Sequence, residues 1–87
     1  MVEPWDGPHI SKMAKSAIEG MRRRNYEPTY LRIHPNDWEI VLAYYAKLEG
    51  KPKSEYKRTL HGVPVRLDEA QDRGDVRAFY ENPQPVI

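Results

Sequence analysis

Three serines, three histidines and a run of carboxylates are the residues of this chain that could do covalent or acid–base chemistry. Nucleophilic catalysis needs a hydroxyl and a base within hydrogen-bond reach of each other. Ser11 and Ser16 fall in a helical stretch and Ser54 in a basic loop, so none sits on a strand-to-helix elbow. His9, His34 and His61 are isolated, without HxH or HExxH spacing, so a metal site would have to be assembled from distant elements. Asp68-Glu69 and Asp72/Asp75 could hold a cation or serve as acid and base, but they read as a solvated turn. No phosphate-binding glycine loop is present, and the absence of cysteine excludes disulfides, thiol nucleophiles and zinc ribbons. The expectation is a protein that is not an enzyme and uses no metal or cofactor.

Binding chemistry is better represented. Arg22-Arg23-Arg24 form one cationic cluster; Lys51, Lys53, Lys57 and Arg58 form another. Such clusters can neutralise phosphates, and Tyr26 and Tyr56 lie close enough in sequence to stack on bases. The plainer reading is a solvated helix end and a mobile basic loop. Tyr44 and Tyr45 cannot both face the same side of a helix, so one points outward as a surface residue or an interface anchor. Six tyrosines and two tryptophans in 87 residues favour contact with protein. Net charge is only +1: residues 1–58 hold eleven Lys/Arg against eight Asp/Glu, and residues 59–87 three against five. That balance is far from the basic surplus of a dedicated DNA binder.

These residues need elements to position them. A chain of 87 residues makes one compact domain with a thin core. Residues 1–9 read as an irregular arm whose Trp5 either tucks onto the domain or anchors the arm to a partner, residues 10–80 as a single α+β domain, and residues 81–87 as a tail. Ile10, Met13, Ala14, Ala17, Ile18 and Met21 form one helical stripe, with Gly20 as a weak point and Asn25 as a left-handed terminator. Residues 29–34 alternate as a strand with Leu31 and Ile33 on one side. His34-Pro35-Asn36-Asp37-Trp38-Glu39 starts a second helix through Pro35 at its first position or an Asn36/Glu39 capping box. Trp38, Val41, Leu42, Tyr45 and Leu48 make its apolar face, and Gly50 ends it. Residues 60–67 read as a turn into a strand that Pro64 assigns to an edge or a strand start. Residues 75–80 read as a second strand, paired with 60–67 as a hairpin. The fold expected is α+β, two main helices packed on a small, mostly antiparallel sheet.

Asn25-Tyr26-Glu27-Pro28-Thr29, then His34-Pro35-Asn36-Asp37-Trp38-Glu39 opening a helix, then Leu60-His61-Gly62-Val63-Pro64-Val65, and Val76–Tyr80 after a polar turn with Gly74, occur in a suggestive order. Over about residues 13–80 the chain resembles the central and C-terminal part of tailed-phage major capsid proteins. In that family a strand–(N/H)P-x-D-W–helix segment precedes an L-x-G-x-P-V segment. The chain departs from the family in length and in lacking the extended loop, spine helix and linking arm, so it would not build a shell alone. The resemblance implies a phage or prophage module that attaches to a virion or imitates a capsid domain, located in the host cytoplasm or the virion. Two other functions fit the residues: a small inhibitor of a host nucleic-acid machine, such as a CRISPR effector or RNA polymerase, and direct nucleic-acid binding. No membrane partner is expected, and oligomerisation is left open.

Overall fold

The computed structural model describes residues 5–81. Helix α1 spans Gly7–Arg23, strand β1 Tyr30–Ile33 and helix α2 Pro35–Glu49. A single 3-10 turn, Lys53–Glu55, leads to β2 Thr59–Leu60, β3 Val63–Leu67 and β4 Arg77–Phe79. The strands form one mixed sheet in the order β2-β3-β1-β4. β1 runs parallel to β3, and the two outer pairings are antiparallel. The architecture is α+β.

α1 begins three residues before the expected Ile10. Asp6 accepts from the His9 backbone N–H at 3.0 Å, and Pro8 lies in the first turn, where a missing N–H costs nothing. The expected arm therefore ends in helix. Asn25 takes φ 66° just beyond the helix, as the left-handed terminator anticipated from its side chain. At α2 it is His34 that caps, its Nδ1 accepting from Asn36 N at 3.0 Å, with Pro35 at the first helical position. The Asn36/Glu39 box is not used. Gly50 closes α2 at φ 67°.

Ile10, Ala14 and Ile18 of α1 pack with Trp38 and Val41 of α2 over Leu31, Ile33, Val63 and Val65 of the sheet. Each large aliphatic residue so buried contributes roughly 1.5–3 kcal/mol. Leu48 departs from the expected stripe and is 66% exposed, because α2 runs past the core in its last turn.

The hairpin expected between residues 60–67 and 75–80 does not form. β4 pairs instead with β1, in the register Tyr30↔Phe79, Leu31↔Ala78 and Arg32↔Arg77. The hairpin partner of β3 is the two-residue β2, joined through His61 and Gly62, both at positive φ as tight hairpin turns require. β3 is thus interior, and of the two places Pro64 allowed, an edge or a strand start, it is the start that is used. Val65 N donates to Arg58 O, and pairing with β1 starts only at Val65, so Pro64 forfeits no ladder bond.

The last determinant of the fold is a buried carboxylate. Asp37, in the first turn of α2, is fully buried. Its Oδ1 accepts from Trp5 Nε1 and Arg73 Nε, each at 2.8 Å, and its Oδ2 accepts from Gly74 N at 2.6 Å. Trp5 does tuck onto the domain, with the Arg73 guanidinium 5.2 Å from its ring centre. Gly74 has φ +79°, and a Cβ there would lie 2.8 Å from the Trp5 ring. His9 Nε2 donates to Gly74 O at 2.9 Å.

Two glycines in α1 separate packing from propensity. A Cβ on Gly7 would lie 2.2 Å from Tyr44 Cβ, whereas one on Gly20 would meet nothing within 4 Å. Gly20→Ala is expected to stabilise by about 1 kcal/mol through helix propensity. Gly7→Ala is expected to destabilise by roughly 1–3 kcal/mol through overpacking. Urea denaturation of both variants checks the opposite signs. A second expectation concerns Asp37→Asn, which keeps shape but turns an amide toward one of three donors. It should cost about 3 kcal/mol, in the range for breaking a buried pair, and expose Trp5 to solvent, read as a red shift in fluorescence.

Candidate binding face of the sheet

Both helices lie on one side of the sheet. Strand alternation sends Leu31, Ile33, Val63, Val65 and Ala78 toward them. The intervening residues face the other way. Register places Arg66, Arg32 and Arg77 side by side on β3, β1 and β4. Two residues along, Tyr30 lies beside Phe79, and continuing the β3 register brings Pro64 next to Tyr30. The face thus carries a row of three arginines and a row of proline and two aromatic rings.

These side chains interlock. Tyr30 and Phe79 stack at 5.1 Å with an interplanar angle of 11°. The Arg66 guanidinium lies 3.8 Å from the Tyr30 ring centre, and that of Arg32 lies 4.8 Å from the Phe79 centre. β3 and β4 flank β1 on opposite sides, so Arg66 and Phe79 occupy the two faces of the Tyr30 ring. Arg32 donates through Nε to Gln71 Oε1 at 2.8 Å and approaches Asp68 at 3.7 Å. Arg66 donates to Glu81 at 3.1 Å. Arg77 is exposed and has no hydrogen bond or ion pair among the described residues. Like charges directly opposed across strands are destabilising, and two partly exposed carboxylates serve the three cations here. No described helix or strand covers this face; the 68–72 connection borders it through Asp68 and Gln71.

The residues singled out from the sequence lie elsewhere. Arg22 forms a bidentate pair with Glu27, with contacts of 2.8–3.1 Å, and the hydrogen bond to that carboxylate raises the arginine's pKa. Arg23 and Arg24 reach back to the Glu19 and Gly20 carbonyls at 3.4 and 3.5 Å, at the negative end of α1. Glu19, Arg22 and Arg23 line an open depression of mixed charge. Tyr26, 49% exposed, packs on Tyr80 with ring centres 4.9 Å apart, beside the end of β4.

Tyr44 packs its Cβ against Gly7 and its ring edge-on to Tyr45. Lys51, Lys57 and Arg58 are exposed, and Lys53 lies 3.6 Å from Glu39. Tyr56 fastens the basic segment to α2, its hydroxyl donating to the Glu49 carboxylate and lying 3.1 Å from Tyr45 O. The segment is therefore tethered to α2 rather than free.

One cluster has the composition of a catalytic pair. Ser11 Oγ lies 2.6 Å from Tyr45 Oη and 3.3 Å from His61 Nε2. His61 Nε2 also lies 2.9 Å from Ser11 O, a carbonyl that can only accept. Nε2 therefore carries the proton and supplies no base to the hydroxyl. The contact fastens the β2–β3 turn to α1. Among the described residues no group of three or more His, Cys, Asp or Glu could hold a metal ion, and no helix is long and apolar enough to cross a membrane.

Arg32, Arg66, Arg77, Tyr30 and Phe79 escaped the sequence reading. Their signal was the outward half of each strand's alternation, which carries arginine or a ring in all three strands. Comparison with protein-family models, with curated proteins and with solved structures finds no match.

The Tyr56–Glu49 bond gives a pH test. The hydrogen bond the phenol donates to the Glu49 carboxylate, with desolvation and the repulsion ionisation would create, pushes its pKa up to about 12. A raised folded-state value means the bond contributes stability fully below about pH 10, the ordinary tyrosine value. That contribution is lost as pH rises toward 12. Absorbance titration at alkaline pH should show a tyrosine step near 12 that vanishes in Tyr56→Phe.

Proposed function

We propose that this chain is a non-catalytic binding module that contacts an acidic protein surface through the open face of its sheet. One observation carries the reading: three arginines sit abreast on adjacent strands, beside a rigid pair of stacked rings, on a face that no described helix or strand covers. Arginine and tyrosine are the residues over-represented among energetically dominant interface positions. Guanidinium groups with donors left over match carboxylates in bidentate geometry.

The same face is poorly suited to single-stranded nucleic acid. Base stacking needs a free ring face, and both faces of Tyr30 are occupied by Arg66 and Phe79. The cations of Arg22–Arg24 and of 51–58 do not extend the arginine row. The resemblance of the HPNDW and LHGVPV segments to phage capsid motifs supports a virion accessory or capsid-like setting for this contact.

Double charge reversal, Arg66→Glu with Arg77→Glu, tests the reading. Reversal gives up the Arg66–Glu81 pair and the guanidinium over Tyr30 but relieves repulsion along the row, opposing effects at exposed positions that should leave the variant folded, as its denaturation midpoint will check. Tagged wild-type protein should retain phage head proteins from infected-cell lysate, and the double variant should lose them. Retention by the variant would overturn the sheet-face reading. Capture of a host nucleoprotein assembly by wild type would replace the virion setting with inhibition of that assembly.

A further inference from the structure

We infer that the partner adds an extended segment to the outer edge of β4, antiparallel to it, with a carboxylate beside Arg77 and an aliphatic side chain beside Ala78. The inference rests on the sheet-face reading for Arg77 and Phe79. It goes further by naming the backbone edge that takes the partner and the residues the partner brings.

Hydrogen-bonding groups choose the occupant. β4 is an outer strand, and among the described residues no strand lies beyond it. Phe79 O is turned toward β1, since it accepts from Thr29 N at 2.8 Å. Backbone groups alternate sides along a strand, so the N–H and C=O of Ala78 point away from β1. Such a pair on an edge is a template for another strand. A helix has its own backbone groups paired internally and offers none to them. The nearby Val76 N–H is already taken by the Asp75 carboxylate at 2.9 Å, so the addition begins at Arg77. Antiparallel pairing lets Ala78 exchange both bonds with a single residue of the partner.

α1 shapes the space above that edge. Ser11 faces α2 and the β2–β3 turn through Tyr45 and His61, whereas His9 reaches the other way, to Gly74 ahead of β4. At about 100° per residue, Met13 and Gly20 fall within roughly 40° of His9, and Ala17 within roughly 80°. α1 and β4 run in the same direction: His9 meets Gly74 at one end, and Tyr26, just past α1, meets Tyr80 at the other. The flank above the β4 edge is therefore Met13, Ala17 and Gly20, half-buried and uncharged. A Cβ on Gly20 would meet nothing within 4 Å, which leaves room there for a side chain from outside. A partner residue opposite Ala78 points to the same side of the sheet as Ala78, under this flank.

The open face sets the two flanking residues. Arg77 has no hydrogen bond or ion pair among the described residues, and its neighbour on β1 is another arginine. A carboxylate directly opposite Arg77 on the added strand supplies the charge that β1 does not. The position opposite Phe79 suits a β-branched residue, which pairs well with an aromatic ring across strands.

The probe is a labelled peptide of about ten residues with threonine, valine and glutamate, in that order, at its centre. Two versions add one backbone methyl group, on the valine nitrogen or on the glutamate nitrogen. Fluorescence anisotropy with the full chain should show the valine version binding at least about tenfold more weakly, since it loses the donor to Ala78 O. The glutamate version, whose methyl points away from β4, should bind within about twofold of the unmodified peptide. The Ala78 amide should gain protection from hydrogen exchange when the unmodified peptide binds. Lysine in place of the peptide glutamate should weaken binding to wild type and restore binding to Arg77→Glu. Equal binding of the two methylated peptides, loss of both, or an Ala78 amide whose exchange does not change would overturn the inference. If that happens while Arg66→Glu with Arg77→Glu still abolishes capture of head proteins, strand addition is wrong and the sheet-face reading stands. If the methyl groups discriminate as expected and the double reversal leaves capture intact, the edge takes strands and the sheet-face reading falls.

Discussion

A carboxylate with no exposure to water sets the arrangement of everything around it. Asp37 occupies the first turn of α2, yet its three donors come from outside that helix: Trp5 ahead of α1, and Arg73 and Gly74 in the connection to β4. Burying a charge is costly unless it is paired and hydrogen-bonded. Once Asp37 is buried, the chain must bring those three groups to it. The consequence reaches the sheet. Gly74 is three residues before β4, so pinning its backbone fixes where β4 can dock, and the dock it finds is the free side of β1. His9 on the Gly74 carbonyl and the Trp5 ring against Gly74 tie α1 into the same junction.

The position of β4 decides what the face left uncovered by the described helices and strands looks like. Had the last strand paired with β3, Arg77 and Phe79 would lie away from Arg32 and Tyr30. Docked on β1, it completes both rows. The stacked rings and the guanidinium over Tyr30 order side chains that are otherwise rich in rotamers, which lowers the entropy lost when a partner docks. The arginine row itself works against stability. Asp68 and Glu81 offset part of that repulsion from positions that remain accessible to solvent. A fold with only stability to satisfy would alternate the charges, and the retained repulsion is one reason this face is proposed as the contact surface.

The basic clusters show which structural contacts a local reading of the sequence leaves out. Arg22–Arg24 looked like a phosphate site because three cations adjoin. In the structure one is held by Glu27, and the others meet carbonyls at the end of their own helix. Tyr56 looked available for stacking, but its hydroxyl secures the 51–58 segment to α2. Tyr44 looked like an outward anchor, but it closes the gap left by the missing side chain of Gly7. In each case the competing role was structural and depended on a residue that proximity in sequence either did not reveal or did not make compelling.

Much of the architecture was written locally. The 3.6-residue stripe of Ile10, Ala14 and Ile18, the alternation of Leu31 and Ile33, the left-handed Asn25 and Gly50, and Pro35 at a helix start are short-range effects of side-chain size and backbone freedom. They hold whatever the rest of the chain does, and they sufficed for the α+β class and for most element boundaries. Strand order was not local. Nothing within residues 75–80 distinguishes β1 from β3 as a partner; the choice came from Asp37, Gly74 and Trp5, which meet across more than thirty residues of sequence between neighbours in the contact. The candidate binding face followed from that choice. Each outward arginine and ring was visible in its own strand, but their assembly into rows is a property of register, and register is settled only when the buried carboxylate finds its donors.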